Sequence, residues 1–132
     1  MKVAVIGSRK FDDQQLLNKI LDEENPEYII SGGAKGADTL AANYARFNGI
    51  SLEEIKANWS DLTQPDAIIK SHPDGRKYDA YAGIRRNSQI IEAADKVIAF
   101  WDGTEKNSGT FDGIKKAKKL GKKIKIVKYL LL

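Results

Sequence analysis

Three polar, glycine-bearing segments follow apolar runs in this sequence, and each carries residue types that can hold an anion. The first is Gly7-Ser8-Arg9. Glycine lets the main chain come close to a ligand, serine offers a hydroxyl, and arginine can clamp an oxyanion; the same tripeptide also serves as an ordinary strand-to-helix turn. The second runs Ser31-Gly32-Gly33-Ala34-Lys35-Gly36-Ala37-Asp38-Thr39. Exposed amides at a helix start suit a phosphate, Lys35 adds a point charge, and Asp38 could cap the helix or accept from a ribose hydroxyl. It is not a P-loop, because no Lys-Ser/Thr pair follows the last glycine, nor is it the dinucleotide Gly-x-Gly-x-x-Gly fingerprint. The third spans residues 100–113, where Ser108-Gly109-Thr110 would open another helix. Within it Asp102 could accept from a sugar or base, and Trp101 could stack on a ring or pack into the core.

Arg85-Arg86-Asn87 belongs with these segments, since an arginine at a helix start can reach a phosphate or form a surface ion pair. Asp38, Asp102 and Asp112 are the carboxylates that could take part in bond cleavage, with Asp102 and Asp112 the catalytic candidates. His72 is the only histidine and sits in Ser-His-Pro-Asp-Gly, a turn composition; alone it makes neither a zinc site nor a catalytic triad.

The elements that must position these segments alternate along the chain. Apolar runs at 2–6, 28–30, 51–56, 96–101 and 123–131 read as strands. Helical periodicity predicts helices after Asp12 or Asp13, over 37–47, over 83–94 and over 110–120. Their inward faces would carry Leu16, Leu17, Ile20 and Leu21; Leu40, Ala41, Tyr44 and Ala45; Ile84, Ile90, Ile91 and Ala94; and Ile114, Ala117 and Leu120. Such alternation predicts an α/β, Rossmann-like three-layer sandwich whose mostly parallel sheet has strand order 3-2-1-4-5. Ligands then bind outside the carboxyl ends of the strands, at the point where strand order reverses. Residues 59–82 are the least regular stretch, with a helical turn or two expected over 61–70; so long a loop in a small domain is usually functional or mobile.

A length of 132 residues fits one domain over 1–132 with a core of its own. The 30% of charged residues beside 42% hydrophobic ones argues for a folded chain rather than a disordered one. Absence of cysteine excludes a disulfide framework and a Cys-based metal site, and fits a cytoplasmic protein. No apolar run approaches the ~20 residues that span a bilayer, so no membrane role is expected. Eight lysines between 115 and 128 contribute to a net charge of +4; they read as a solvated helix face or as a polyanion-binding patch.

Taken together, Gly7-Ser8-Arg9-Lys10-Phe11, residues 31–38, Arg86-Asn87, residues 94–103 and Ser108-Gly109-Thr110 resemble the YspA-type branch of the SLOG superfamily. That superfamily groups the LOG phosphoribohydrolases with the DprA proteins. The resemblance implies a Rossmann-like fold and a nucleotide-related ligand, with Gly32, Gly33 and Gly36 at a phosphate and Arg86 at the substrate. Gly109 and Thr110 would match the Gly-Thr of the LOG motif Pro-Gly-Gly-x-Gly-Thr-x-x-Glu. The catalytic glutamate of that motif corresponds here to Gly113, and Asp112 is one residue out of step, roughly 100° away around a helix. Phosphate recognition is thus expected to be retained and LOG hydrolysis lost or rearranged.

The leading expectation is a sensor or sequestering domain for a nucleotide or a NAD- or ADP-ribose-like ligand; no metal is expected, and no cofactor is certain beyond the nucleotide ligand. Its ligand-binding set is Gly7, Ser8, Arg9, Ser31, Gly32, Gly33, Ala34, Lys35, Gly36, Asp38, Arg86, Asn87, Trp101, Asp102, Ser108, Gly109 and Thr110. A nucleoside-monophosphate phosphoribohydrolase is the alternative, and single-stranded nucleic-acid binding the second. A homodimer is expected by analogy with LOG proteins.

Overall fold

The computed structural model describes residues 1–104 and 109–129. Its elements in order are β1 (Lys2–Gly7), α1 (Gln14–Glu24), β2 (Tyr28–Ser31), α2 (Ala37–Asn48), β3 (Ser51–Glu54), β4 (Ile69–Ser71) and β5 (Lys77–Asp79). There follow α3 (Ala82–Ala93), β6 (Lys96–Trp101), α4 (Gly109–Lys119) and β7 (Lys123–Lys128). Five strands form one sheet in the order β3-β2-β1-β6-β7, and every pairing in it is parallel. Counted among these five alone, this is the expected order 3-2-1-4-5. The reversal of order lies between β1 and β6, which pair from Val3↔Lys96 to Gly7↔Phe100.

Both faces of the sheet are covered, which is why its central strands are apolar without alternation. Val3, Val5, Ile29, Ile98 and Phe100 pack on one face against Leu17, Ile20 and Leu21 of α1 and Ala41, Tyr44 and Ala45 of α2. Ala4, Ile6, Ile30, Val97 and Ala99 pack on the other against Ile90 and Ile91 of α3 and Ile114 and Ala117 of α4. Each large aliphatic side chain so buried contributes about 1.5–3 kcal/mol. Helix α1 begins where the Asp13 carboxylate accepts the Leu16 amide at 3.0 Å, and it ends at Asn25 in the left-handed conformation.

The lysines of the C-terminal region are spread over different tasks. Lys123, Lys125 and Lys128 lie on β7, an edge strand, where charge discourages pairing with another sheet. Lys122 donates to the carbonyls of Glu92 and Ala94 at the end of α3, and Lys116 pairs with Asp112 at 2.8 Å.

The structure departs from the sequence expectations in the 59–82 stretch and at several ends. Residues 69–79 form an antiparallel hairpin, β4–β5, and no helix occupies 61–70. His72 sits in its turn and stacks on Tyr78. The third strand stops at Glu54, and β7 stops at Lys128; residues 130 and 131 lie outside the described residues. Ile84 and Leu120, expected inward, are 40% and 51% exposed. Ile84 stands on the first turn of α3 facing a cavity, and Leu120 follows the last helical residue, where the chain turns at Gly121.

Candidate functional site

The turn after β1 is locked between two other elements. Ser8 donates its amide to Phe100 at 3.3 Å, and its carbonyl accepts the amides of Phe11 at 3.2 Å and Ala37 at 3.3 Å. Its hydroxyl accepts the Lys10 amide at 3.1 Å. A β-carbon on Gly7 would lie 2.5 Å from that of Ala37. Gly36, with φ of +76°, passes so close to Ser8 and Arg9 that a β-carbon there would meet their main chain. Two strand-end turns therefore interlock through a glycine contact that no other residue permits.

A second junction joins the β2–α2 turn to α3. Arg86 donates from Nη1 to the Gly32 carbonyl at 2.8 Å and from Nε to Asn87 Oδ1 at 3.1 Å. Gly32 is buried, and a β-carbon on it would fall 2.5 Å from Arg86 Nη1 and 2.8 Å from Asp38 Oδ2. Asp38 accepts the Ala34 amide at 3.1 Å. Burial pushes the Asp38 carboxyl above the ordinary value, although the Ala34 amide and the Arg86 guanidinium pull it back. Burial also lowers Arg86, with Asp38 opposing and Arg9 reinforcing the shift; the guanidinium stays charged at any ordinary pH. Asn87 reaches across to the Gly109 carbonyl at 3.4 Å and so ties α3 to the start of α4.

These junctions border a cavity of about 430 Å³ above the β1–β6 switch point. Gly7, Ser8, Arg9, Ala34, Asp38, Arg86, Asn87, Gly109 and Thr110 line it, so candidates from all four sequence segments meet there. A neighbouring cavity of about 490 Å³ is lined by Gly32, Gly33 and Lys35 and shares Arg9, Ala34, Trp59 and Arg86 with the first. The starts of α2, α3 and α4 all open on this region. Helices α2 and α3 have no side-chain cap, in contrast to α1, whose capped start lies elsewhere. Uncapped helix starts leave amides unsatisfied and carry about +0.5 of an elementary charge each.

Other sequence candidates are placed differently. Gly36 lines neither cavity and acts through its contact with Ser8 and Arg9. Ser31 is fully buried beneath the site. Trp101 lines neither cavity; it stacks on Phe111 with ring centroids 5.4 Å apart and packs against the α3/α4 side of the core. Asp102 accepts from the Thr104 amide at 2.8 Å and its hydroxyl at 3.0 Å, closing its own turn. Asp112 is paired with Lys116 and lines neither cavity, so both catalytic candidates stand away from the first cavity. Ser108 lies outside the described residues. Arg85 turns from the site to pair with Asp79 at 2.9 Å and with Asp66.

Trp59, Lys10, Lys56, Gly83 and Ile84 line the cavities without having been expected there. For Trp59 the signal was the length of the 59–82 connection, which a small domain keeps for a purpose. At Gly113, the position of the LOG glutamate, a β-carbon would fall 2.6 Å from Ile6 Cδ1. Ile6 thus fills the space into which a side chain at 113 would grow.

Comparison with known proteins agrees with this architecture. Residues 1–61 match the model of the YspA, cpYpsA-related SLOG family. The X-ray structure of DNA processing protein A (DprA) from Streptococcus pneumoniae superposes with a TM-score of 0.73 at 24% identity, over 99% of this chain and 51% of that one. The present chain spans about half the length of that DprA chain. No curated protein matches the sequence. The resemblance to the SLOG superfamily is therefore borne out: the family match covers residues 1–61, and the fold is shared with DprA.

Proposed function

We propose that this chain binds a nucleotide or nucleotide-derived ligand through its phosphate and acts as a sensing or sequestering domain. One observation carries the reading: three helix starts and the side chains of Arg9, Lys10 and Arg86 border a single cavity of about 430 Å³. That volume lies within the range of small-molecule sites, and the field at its base is positive from fixed dipoles and guanidinium groups. Two of the five Arg86 donors are engaged within the protein, by Gly32 and Asn87, which leaves others for an oxyanion. SLOG domains generally bind nucleotide-derived ligands, which is the coarser reading that this one sharpens.

Binding is favoured over hydrolysis because the carboxylates at this site are few. Asp38 is the only carboxylate lining the first cavity among the described residues, and it is held by the Ala34 amide. Its raised affinity for a proton supports a second reading, in which Asp38 protonates a leaving base as a phosphoribohydrolase acid.

Calorimetry with AMP, ADP, ADP-ribose, NAD and adenosine tests the proposal. At least one phosphorylated member binds and adenosine does not. Failure of every phosphorylated member to bind overturns it. Release of adenine from AMP, abolished by Asp38→Asn, would replace it with the second reading.

A further inference from the structure

We infer that Trp59 is the aromatic platform of this site, on which the ring of a nucleobase stacks while the phosphate sits among the helix starts. The inference rests on the proposed function and adds to it the residue that distinguishes a nucleotide from a bare sugar phosphate.

Trp59 is the one aromatic side chain lining either cavity among the described residues, and it lines both. It is 41% exposed, an unusual degree for so large an apolar side chain. The other tryptophan, Trp101, is stacked on Phe111, and Phe11 is sandwiched with Phe100 and Tyr129. Trp59 has no such ring partner among the described residues. Its indole rests on Gly83, where a β-carbon would fall 2.9 Å from Cη2. The absence of a side chain at 83 is what lets the ring lie against the first turn of α3, beside the cavity.

The main chain at Trp59 is also held in place from behind. The Trp59 carbonyl accepts the Asp79 amide at 2.8 Å. Asp79 is fully buried, and its carboxylate accepts the amides of Ile68 at 3.0 Å and Tyr81 at 2.9 Å as well as Arg85 at 2.9 Å. Through its amide at Trp59 and its buried carboxylate at Ile68, Tyr81 and Arg85, Asp79 fastens the 59–81 excursion to the start of α3. The excursion has an exposed outer face, with Ile68 and Ile69 both open to solvent, so it contributes little core. What it does supply to the first cavity is Trp59, with Ala80 beside it. An aromatic ring fixed in advance beside an anion site is the arrangement that binds a base at low entropic cost.

Titration of the full chain with AMP, ADP-ribose and ribose 5-phosphate, followed by calorimetry and tryptophan emission, tests the inference. AMP or ADP-ribose quenches the emission, whereas ribose 5-phosphate binds without quenching it. Trp101→Phe keeps the quench and Trp59→Phe removes it. Trp59→Ala weakens AMP or ADP-ribose by roughly 5- to 150-fold, the cost of one lost base stack, and leaves ribose 5-phosphate unchanged. Should Trp59→Ala fail to fold, Gly83→Ala displaces the indole and gives the same selective loss. Undiminished binding of the base-bearing probe to Trp59→Ala overturns the platform while the phosphate site stands. Absence of binding by all three probes to the wild-type chain overturns the proposed function itself, and the platform with it.

Discussion

The carbonyl oxygen of Ser8 occupies the space that a β-carbon on Gly36 would need. Ser8 follows β1 and Gly36 stands at the N-cap position of α2, and their contact is what brings the β1 turn and the start of α2 to one wall of the cavity. Gly36, at φ +76° and ψ −129°, lies outside the left-handed helical region in space open essentially to glycine, so Gly36→Ala costs about 1–3 kcal/mol of strain plus the displacement of the Ser8 turn. Urea unfolding measures it against Gly49→Ala, where φ is +65° but no atom lies within 4 Å. The Gly36 variant loses more stability and also loses nucleotide binding; the Gly49 variant loses only the strain.

Arg86→Lys keeps the charge and removes the fork that spans the Gly32 carbonyl and the cavity. Ligand affinity falls by roughly 10- to 100-fold, the worth of a charge-assisted hydrogen bond. Arg85→Lys, at the neighbouring position but turned toward Asp79 and Asp66, leaves the phosphate contribution intact. Calorimetry on both variants separates the two arginines.

The fastening of the hairpin depends on pH. Burial alone would raise the Asp79 carboxyl, but the amides of Tyr81 and Ile68 and the Arg85 guanidinium outweigh it and hold the group below its ordinary 3.8. A carboxyl depressed by folding stabilises the fold fully above about pH 4 and ceases to do so as pH falls through the folded-state value. Acid unfolding followed by Trp59 emission should shift to higher pH in Asp79→Asn, with the wild-type chain retaining the hairpin further into acid.

Gly113→Glu places a side chain where Ile6 Cδ1 now packs. Overpacking of this kind costs about 1–3 kcal/mol. Combining it with Ile6→Ala relieves the clash, so the double variant is more stable than the sum of the single losses allows. Thermal unfolding of the four proteins in the cycle checks it; simple additivity would show that the two positions do not compete for space.

Much of this was legible because burial on both faces leaves a plain mark. Val3 to Ile6 and Val97 to Phe100 read as buried strands, and strand–helix alternation with right-handed crossovers left few orders, among them the one observed. The anion-ready segments followed, since strand ends at a switch point have a defined place. Trp101 and Asp102 line neither cavity, since a strand end alone does not say which way its side chains point: Phe100 faces the α1/α2 layer, Trp101 the α3/α4 layer and Phe111. Trp59 escaped notice for a different reason. The connection that carries it has no core-facing alternation, and its order comes from Asp79, whose amide donates to the Trp59 carbonyl and whose buried carboxylate has partners 2 to 11 positions away.

The most direct measurement is a crystal structure of the chain with ADP-ribose or AMP. The expected result is phosphate density in the cavity bounded by Ser8, Arg86 and Thr110, within hydrogen-bonding distance of Arg86 and of the helix-start amides. Ligand bound anywhere else on the surface, with that cavity holding only solvent, would contradict it.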